Sequence, residues 1–179
     1  MTALQTKIAS DMEAIVHGAP EDHKAELRLW LRVLSCTNLI STEIRRRLRT
    51  RFNVTLPRFD LLAQLDREKE GLRLGELSKR MMVTNGNVTG LVERLMKEGL
   101  VRRETVDGDR RVGLVTLTRA GRAAFARMAA AHEMWLAELF ADLTRADIEL
   151  LMKGLAAMKR SVAARAKEPL SAVTVGNQD

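Results

Sequence analysis

One abrupt change in the spacing of apolar residues constrains this chain more than any other feature. Between Thr84 and Lys97 the spacing is helical, with a stripe made of Val88, Leu91, Val92, Leu95 and Met96. Directly after Gly99, a helix stop signal, the stretch "VRRETVDGDRRVGLVTLT" (101–118) reads as two short extended runs. They fold about "DGDRR", in which Asp-Gly supplies hairpin turn chemistry. The sequence therefore predicts a helix followed at once by a β-hairpin.

Two more helices are predicted before this pair. "TLPRFDLLAQLD" (55–66) begins with Thr55 as a cap and turns Leu61, Leu62 and Leu65 inward. "LGELSKRMM" (74–82) is a short amphipathic helix, and only "VT" separates it from the next one. Helix, helix, tight turn, helix and hairpin is the order of a winged helix-turn-helix, whose second motif helix enters the DNA major groove. We predict this DNA-binding domain over residues 55–118.

Long helices are predicted on both sides of that domain. Residues 22–51 carry a stripe made of Trp30, Val33, Cys36, Ile40, Ile44 and Leu48, and further leucines lie on other faces. Because such a helix needs more than one neighbour, we predict a partner subunit; the alternative is the central helix of a monomer. After Thr118 a fifth helix runs toward Leu143, and the capping box "TRAD" (144–147) opens a sixth.

These elements predict a mainly α fold with a small β wing. Residues 22–54 and 119–165 would form a helical dimerisation domain around the winged helix-turn-helix. Residues 1–21 would be an N-terminal arm and residues 166–179 a flexible tail.

Composition narrows the function. Lys and Arg number 30 against 23 Asp and Glu, and the pI of about 10.2 favours a polyanionic partner such as nucleic acid. The single cysteine excludes an intramolecular disulfide, and the three histidines lack zinc-ligand spacing. We find no catalytic constellation and no phosphate-binding glycine loop, so we expect neither an enzyme nor a cofactor. No membrane span and no signal peptide are predicted, and we expect a cytoplasmic protein.

The helix from Thr84 to Lys97 has a second face suited to DNA. With the apolar stripe inward, Asn87 can form a bidentate pair with adenine and Thr89 can offer a hydroxyl or a methyl group. Arg94 and Lys97 suit phosphates. The predicted DNA contacts are Thr84, Asn85, Gly86, Asn87, Thr89, Gly90, Arg94 and Lys97, with Asp109, Arg110 and Arg111 on the wing.

Gly90 is unusual because glycine inside a helix costs about 1 kcal/mol relative to alanine. We interpret it as a place where the helix backbone approaches base edges; the alternative is a tolerated surface glycine.

The paired arginines of the hairpin indicate what its tip contacts. A wing lies along the neighbouring minor groove, which is narrow at A·T-rich steps and attracts inserted arginine. We predict Arg111 as the inserting residue, with Asp109 pairing an arginine to shape the tip. The alternative is a pair of solvated loop charges. The arginines of "EIRRRLRTRF" (43–52) spread around their helix and favour a solvated helix end.

The chain resembles the MarR family of bacterial transcriptional regulators over about residues 25–162. The matching stretches are "TLPRFDLLAQLD", "LGELSKRMMVTNGNVTGLVERLMKEGLVRR", "DGDRRVGLVTLTRAGR" and "LTRADIELLMKGLAAM". The Asp-x-Arg wing signature at Asp109-Arg110-Arg111, followed by "VTLT", is the most specific of them. The resemblance implies a homodimer on a palindromic site and a ligand pocket between the dimerisation helices and the DNA-binding lobe.

Two features depart from the family. Many members carry a larger polar residue where Gly90 stands, so their base contacts cannot be copied. The peroxide-sensing branch uses a reactive cysteine with tyrosine partners, whereas this chain has no tyrosine. We predict that Cys36 is buried and serves packing rather than redox sensing.

"RLWLRVL", "TLPRFDLLAQLDR" and "NVTGLVERL" are similar to regulators of aromatic-acid degradation, including those that respond to hydroxycinnamoyl-CoA thioesters. The pocket predicted from this likeness contains Trp30, Cys36, Ile40, Phe59, Leu62, Met128 and His132. The phosphates of an acyl-CoA could be held by Arg28, Arg32, Arg45 or Arg46.

We therefore expect a dimeric winged-helix repressor that leaves double-stranded DNA when a small aromatic effector binds. An architectural DNA-binding protein without an effector is the first alternative. A winged helix used for protein contacts and an acyl-CoA transferase are the others.

Overall fold

The computed structural model describes residues 25–106 and 109–166, and for residues 105, 106 and 109–112 it describes the backbone alone. The predicted N-terminal arm and all but the first residue of the predicted tail therefore lie outside the described residues. The helices are α1 (Ala25–Phe52), α2 (Leu56–Arg67), α3 (Leu74–Met81), α4 (Asn85–Lys97), α5 (Arg119–Leu139) and α6 (Arg145–Arg165). The strands are β1 (Leu72–Arg73), β2 (Val101–Val106) and β3 (Asp109–Leu117), and they form an antiparallel sheet in the order β1-β3-β2.

The predicted mainly α fold with a small β wing is confirmed, with one addition. Strand β1 pairs Leu72 with Val115 and Arg73 with Leu114, and sequence reasoning missed it. A strand of two residues is too short to show the alternation that identifies longer strands.

The core of the winged helix is built from the predicted inward faces. The fully buried side chains here are Leu61, Leu62 and Leu65 of α2, Leu77 of α3, Val88 and Leu95 of α4, and Val115 and Leu117 of β3. Met96, the last residue of the predicted apolar stripe, is 41% exposed. It lies at the edge of the stripe, about 40° beyond the buried Val92.

The turn between α3 and α4 is fixed by short-range hydrogen bonds. Met82 ends α3 in a left-handed conformation (φ 54°), and the Ser78 hydroxyl donates to the Val83 carbonyl over 2.6 Å. Thr84 then caps α4, its Oγ1 accepting from the Asn87 backbone N–H at 3.4 Å. These bonds fix the point at which α4 leaves the turn.

The chain separates into two compact units, Met1–Leu136 and Ala137–Asp179. In the first unit the C-terminal half of α1 packs into the core through Ile44 and Leu48, and the rings of Phe52 and Trp135 lie 6.1 Å apart. The N-terminal half of α1 is more exposed. Trp30 is 56% exposed, and the prediction that Cys36 is buried is wrong within the described residues, where its side chain is exposed.

The second unit contains α6, and its predicted capping box is confirmed. Thr144 Oγ1 accepts from the Asp147 backbone N–H at 3.2 Å, and Asp147 Oδ2 accepts from the Thr144 N–H at 3.0 Å. None of the residues of α6 is buried, and its apolar residues Ile148, Leu151 and Leu155 are exposed. Across the described part of the chain, no helix is long and apolar enough to cross a membrane.

Candidate DNA-binding site

The start of α4 presents polar side chains that do not contribute to the core. Asn85, Gly86 and Asn87 are exposed, as are Arg94 and Lys97 further along the helix. The opposite side buries Val88, Val92 and Leu95 to within 2% of complete burial. A rigid apolar anchor therefore holds a polar face outward, which is the arrangement that a recognition helix requires.

Two residues of this face are already engaged within the helix. The Thr89 hydroxyl donates to the Asn85 carbonyl over 2.9 Å, so Thr89 offers its methyl group and its oxygen lone pairs to a partner. Arg94 Nε donates to the Gly90 carbonyl over 3.2 Å.

Gly90, one of the predicted DNA contacts, is half-buried. A Cβ added at Gly90 would meet only the Nη2 atom of Arg94, at 3.8 Å. Packing within the described residues therefore does not require glycine at this position.

The wing is a hairpin whose regular pairing ends near its tip. Thr105 pairs with Gly113 and Val106 pairs with Asp109, with an irregularity in register between these two pairs. Asp109, Arg110 and Arg111 open β3, and their side chains lie outside the described residues. Their predicted contacts with DNA therefore stay predictions.

Sequence reasoning missed a basic cavity between α3 and the sheet. This cavity of about 500 Å³ is lined by Arg73, Leu74, Gly75, Glu76, Lys79, Arg103 and Gly113. Arg103 lies flat over Gly113, where a Cβ would come within 2.4 Å of its Nε atom. The available signal was Gly113, because a glycine within a strand pattern marks a close approach of another group.

Several arginines outside this basic cavity have their charge balanced by a neighbouring glutamate. Arg46 and Arg47 pair with Glu43 at 2.6 Å and 2.7 Å, and these hydrogen bonds lower the pKa of Glu43 to about 2. Arg80 pairs with Glu68 and Glu76. At the predicted solvated helix end, two of the arginines thus form ion pairs with a glutamate of their own helix.

The residues predicted to line a ligand pocket are spread over different environments. Phe59, Leu62 and Met128 are buried in the core, and Ile40 packs against it. The Phe59 ring lies 5.0 Å from the ring of His132, whose pKa is lowered by burial. Trp30 and Cys36 are exposed instead.

The four arginines predicted to bind an anionic ligand all lie on α1. Arg32, Arg45 and Arg46 are all exposed, and Arg46 also pairs with Glu43. Burial raises the pKa of the Asp60 carboxyl, and the positive charge of Arg45 opposes part of that rise. No group of metal-binding side chains occurs among the residues that the structure describes.

Comparison with known proteins places this geometry in a family. A sequence profile of the MarR family matches residues 52–112. The transcriptional activatory protein BadR of Rhodopseudomonas palustris is 30% identical over 148 residues, which cover 78% of this chain and 84% of BadR.

Solved structures agree with the sequence comparison. A MarR family transcriptional regulator from Silicibacter pomeroyi is 33% identical, with a TM-score of 0.67 over 80% of this chain and 99% of that one. Sco3205 of Streptomyces coelicolor, a MarR family regulator solved in complex with DNA, is 27% identical, with a TM-score of 0.68 over 84% of this chain and 94% of its own. These relatives are transcriptional regulators rather than enzymes. The chain belongs to the MarR family and is a DNA-binding transcriptional regulator with a winged helix-turn-helix.

Proposed function

We propose that this protein is a homodimeric regulator that binds a palindromic operator through α4 and the wing of each subunit. The observation that carries the proposal is the outward polar face at the start of α4, where Asn85, Gly86 and Asn87 are exposed. Asn87 would pair with adenine, and Arg94 and Lys97 would contact phosphates. Arg111 would enter the minor groove beside the wing.

A second subunit is supported by apolar side chains that no other described residue of the chain covers. On α1, Leu29, Trp30 and Leu39 are each at least half exposed. On α6, Leu150 is 70% exposed and Met152 is 68% exposed. Burial of these surfaces in a symmetric interface would bring two winged domains together on half-sites about 34–36 Å apart.

The direction of control that we propose is repression relieved by a small aromatic acid or its CoA thioester. This follows from the resemblance of the chain to regulators of aromatic-acid degradation. Arg32 and Arg45 are exposed and could meet the phosphates of a thioester, while Arg46 would have to leave Glu43. Activation is the second candidate, favoured by the name of the relative BadR, a transcriptional activatory protein.

Fluorescence anisotropy on duplex from the region upstream of the protein's own gene tests the proposal. Salt and random competitor DNA are titrated first, and a panel of aromatic acids and their CoA thioesters is added afterwards. Selective binding that one compound releases supports a ligand-controlled repressor. Binding without selectivity would instead favour the architectural role, and strengthened binding or a changed complex would favour activation.

Substitutions at Gly90 separate helix stability from DNA contact. Because a Cβ meets nothing closer than 3.8 Å, Gly90→Ala should raise the unfolding free energy by about 0.5–1 kcal/mol. The longer side chain of Gly90→Arg should weaken operator binding if the helix backbone approaches the bases. Urea unfolding and anisotropy measure the two effects. Full operator affinity in Gly90→Arg would make Gly90 a tolerated surface glycine.

Arg103 offers a test of the basic cavity as a phosphate contact. Arg103→Gln should reduce the slope of log affinity against log salt by about 0.9 per subunit, and it should do so on every DNA sequence. Arg102→Gln is the matched control, because Arg102 is paired with Glu104 at 3.0 Å. Equal slopes for the wild type and Arg103→Gln would remove this cavity from the DNA interface.

A further inference from the structure

Met82, in the turn between α3 and α4, is the most exposed of the large apolar side chains that the structure describes. It is 92% exposed, although Met81 and Val83 on either side of it pack against the core. The exposed apolar residues of α1 and α6 are those that a second subunit would cover. Met82 belongs instead to the winged domain and lies three residues before Asn85. The proposed dimer therefore gives no reason for its exposure.

The backbone of the turn holds this side chain outward. Met82 ends α3 with φ 54° and ψ 40°, a left-handed conformation that glycine adopts without steric cost and methionine does not. Its N–H bonds the Lys79 carbonyl at 3.3 Å, and the Val83 N–H bonds the Ser78 carbonyl at 3.2 Å. Glycine would make the same turn with less strain, so the methionine side chain lowers the stability of the free protein.

DNA that is read by α4 comes within reach of Met82. The first residues of a recognition helix contact base edges in the major groove, and here Asn85, Gly86 and Asn87 are exposed. Consecutive Cα atoms are about 3.8 Å apart, so the Cα atoms of Met82 and Asn85 lie within about 11 Å of each other. Methionine is flexible and adapts to irregular apolar surfaces. The apolar group that a base pair presents in the major groove is the C5-methyl group of thymine.

We propose that Met82 contacts the C5-methyl group of a thymine in the major groove and so contributes to operator specificity. The contact adds an apolar reading to the hydrogen-bonded reading assigned to Asn87. It favours thymine at the position of each half-site that faces the turn between α3 and α4. The inference rests on the proposed binding of the operator through α4.

Deoxyuridine isolates this contact, because it pairs with adenine as thymine does and lacks only the methyl group. Duplex from the region upstream of the protein's own gene is footprinted with the full chain, and each thymine of the footprint is then replaced in turn. Burial of one methyl group is worth about fourfold in affinity at each half-site, or about fifteenfold over two half-sites. Fluorescence anisotropy should show a loss of that size at one thymine position of each half-site.

Variants of Met82 assign that position, since the methyl group of Thr89 could read a thymine as well. Asparagine tolerates the left-handed conformation, so Met82→Asn should melt at or above the wild-type temperature. It should bind the thymine operator about fifteenfold more weakly than the wild type does, and the two proteins should bind the deoxyuridine operator equally. Met82→Leu keeps an apolar side chain and should retain most of the preference for thymine.

Met96→Asn is the matched control, because Met96 is an exposed methionine at the other end of α4. This variant should keep the wild-type ratio between the affinities for the thymine and deoxyuridine operators. A changed ratio would show that loss of any exposed methionine from the helix alters the response, and it would overturn the assignment to Met82.

The inference is also overturned if the wild type binds both operators equally, or if Met82→Asn keeps full affinity for the thymine operator. Equal weakening of Met82→Asn on both duplexes would overturn it too, because the side chain would then act on the orientation of α4. Selective operator binding that ignores every methyl group removes the contact and leaves the proposed function standing. A wild type that binds no duplex selectively contradicts the proposed function itself.

Discussion

Gly121→Ala is expected to destabilise the protein by about 1–3 kcal/mol or more, although alanine is the better helix former. Gly121 lies in the first turn of α5, where a Cβ would come within 1.9 Å of the Leu100 carbonyl oxygen and 2.9 Å of its carbon. Because the obstacle is backbone, α5 and the base of the wing would have to move apart.

The surrounding hydrogen bonds oppose that movement. The Thr118 hydroxyl donates to the Gly99 carbonyl over 2.7 Å and accepts from the Gly121 N–H at 2.9 Å. The Thr118 N–H also bonds the Leu100 carbonyl at 3.1 Å. Several hydrogen bonds therefore hold the end of α4, the start of the wing and the start of α5 together. The backbone can shift little to accommodate the substitution.

Urea unfolding followed by circular dichroism measures this effect. Gly154→Ala is the matched control, because Gly154 lies within α6 and a Cβ there would meet nothing within 4 Å. That variant should gain about 0.5–1 kcal/mol from helix propensity alone. If Gly121→Ala gained stability in the same way, the close approach of α5 to Leu100 would be wrong.

Asn87→Ala is expected to cost about 1–3 kcal/mol of operator binding at each half-site. Two half-sites on a dimer would double the loss, so the affinity should fall by about thirtyfold or more. The fold should tolerate the change, because Asn87 is exposed and its link to the Thr84 cap is made by the backbone N–H.

Base substitution in the operator identifies what Asn87 reads. If Asn87 pairs with adenine, replacing that base should cost the wild type as much as the variant loses, and Asn87→Ala should be indifferent to the replacement. Asn38→Ala, an exposed position of α1, controls for loss of an amide elsewhere. Equal losses on specific and random duplex would instead make Asn87 a contact to the DNA backbone.

The sequence by itself determined the helices, the hairpin and their order, although not the two-residue strand β1. The stripe through Val88, Val92 and Leu95 and the hairpin after Gly99 both appear in the structure, as does the capping box at Thr144 and Asp147. Each of these signals depends on residues a few positions apart, because helical and strand periodicities and caps are local properties of the chain.

Tertiary structure alone decided which side chains meet. The Arg58–Glu98 ion pair and the contact between Gly121 and Leu100 join positions about 20 to 40 residues apart, and no local pattern distinguishes them from solvated charges or ordinary glycines. Cys36 is a second example of what a local sequence pattern cannot decide. It lies on the apolar stripe of α1 but is exposed, because burial depends on what packs over a face and not on the face itself.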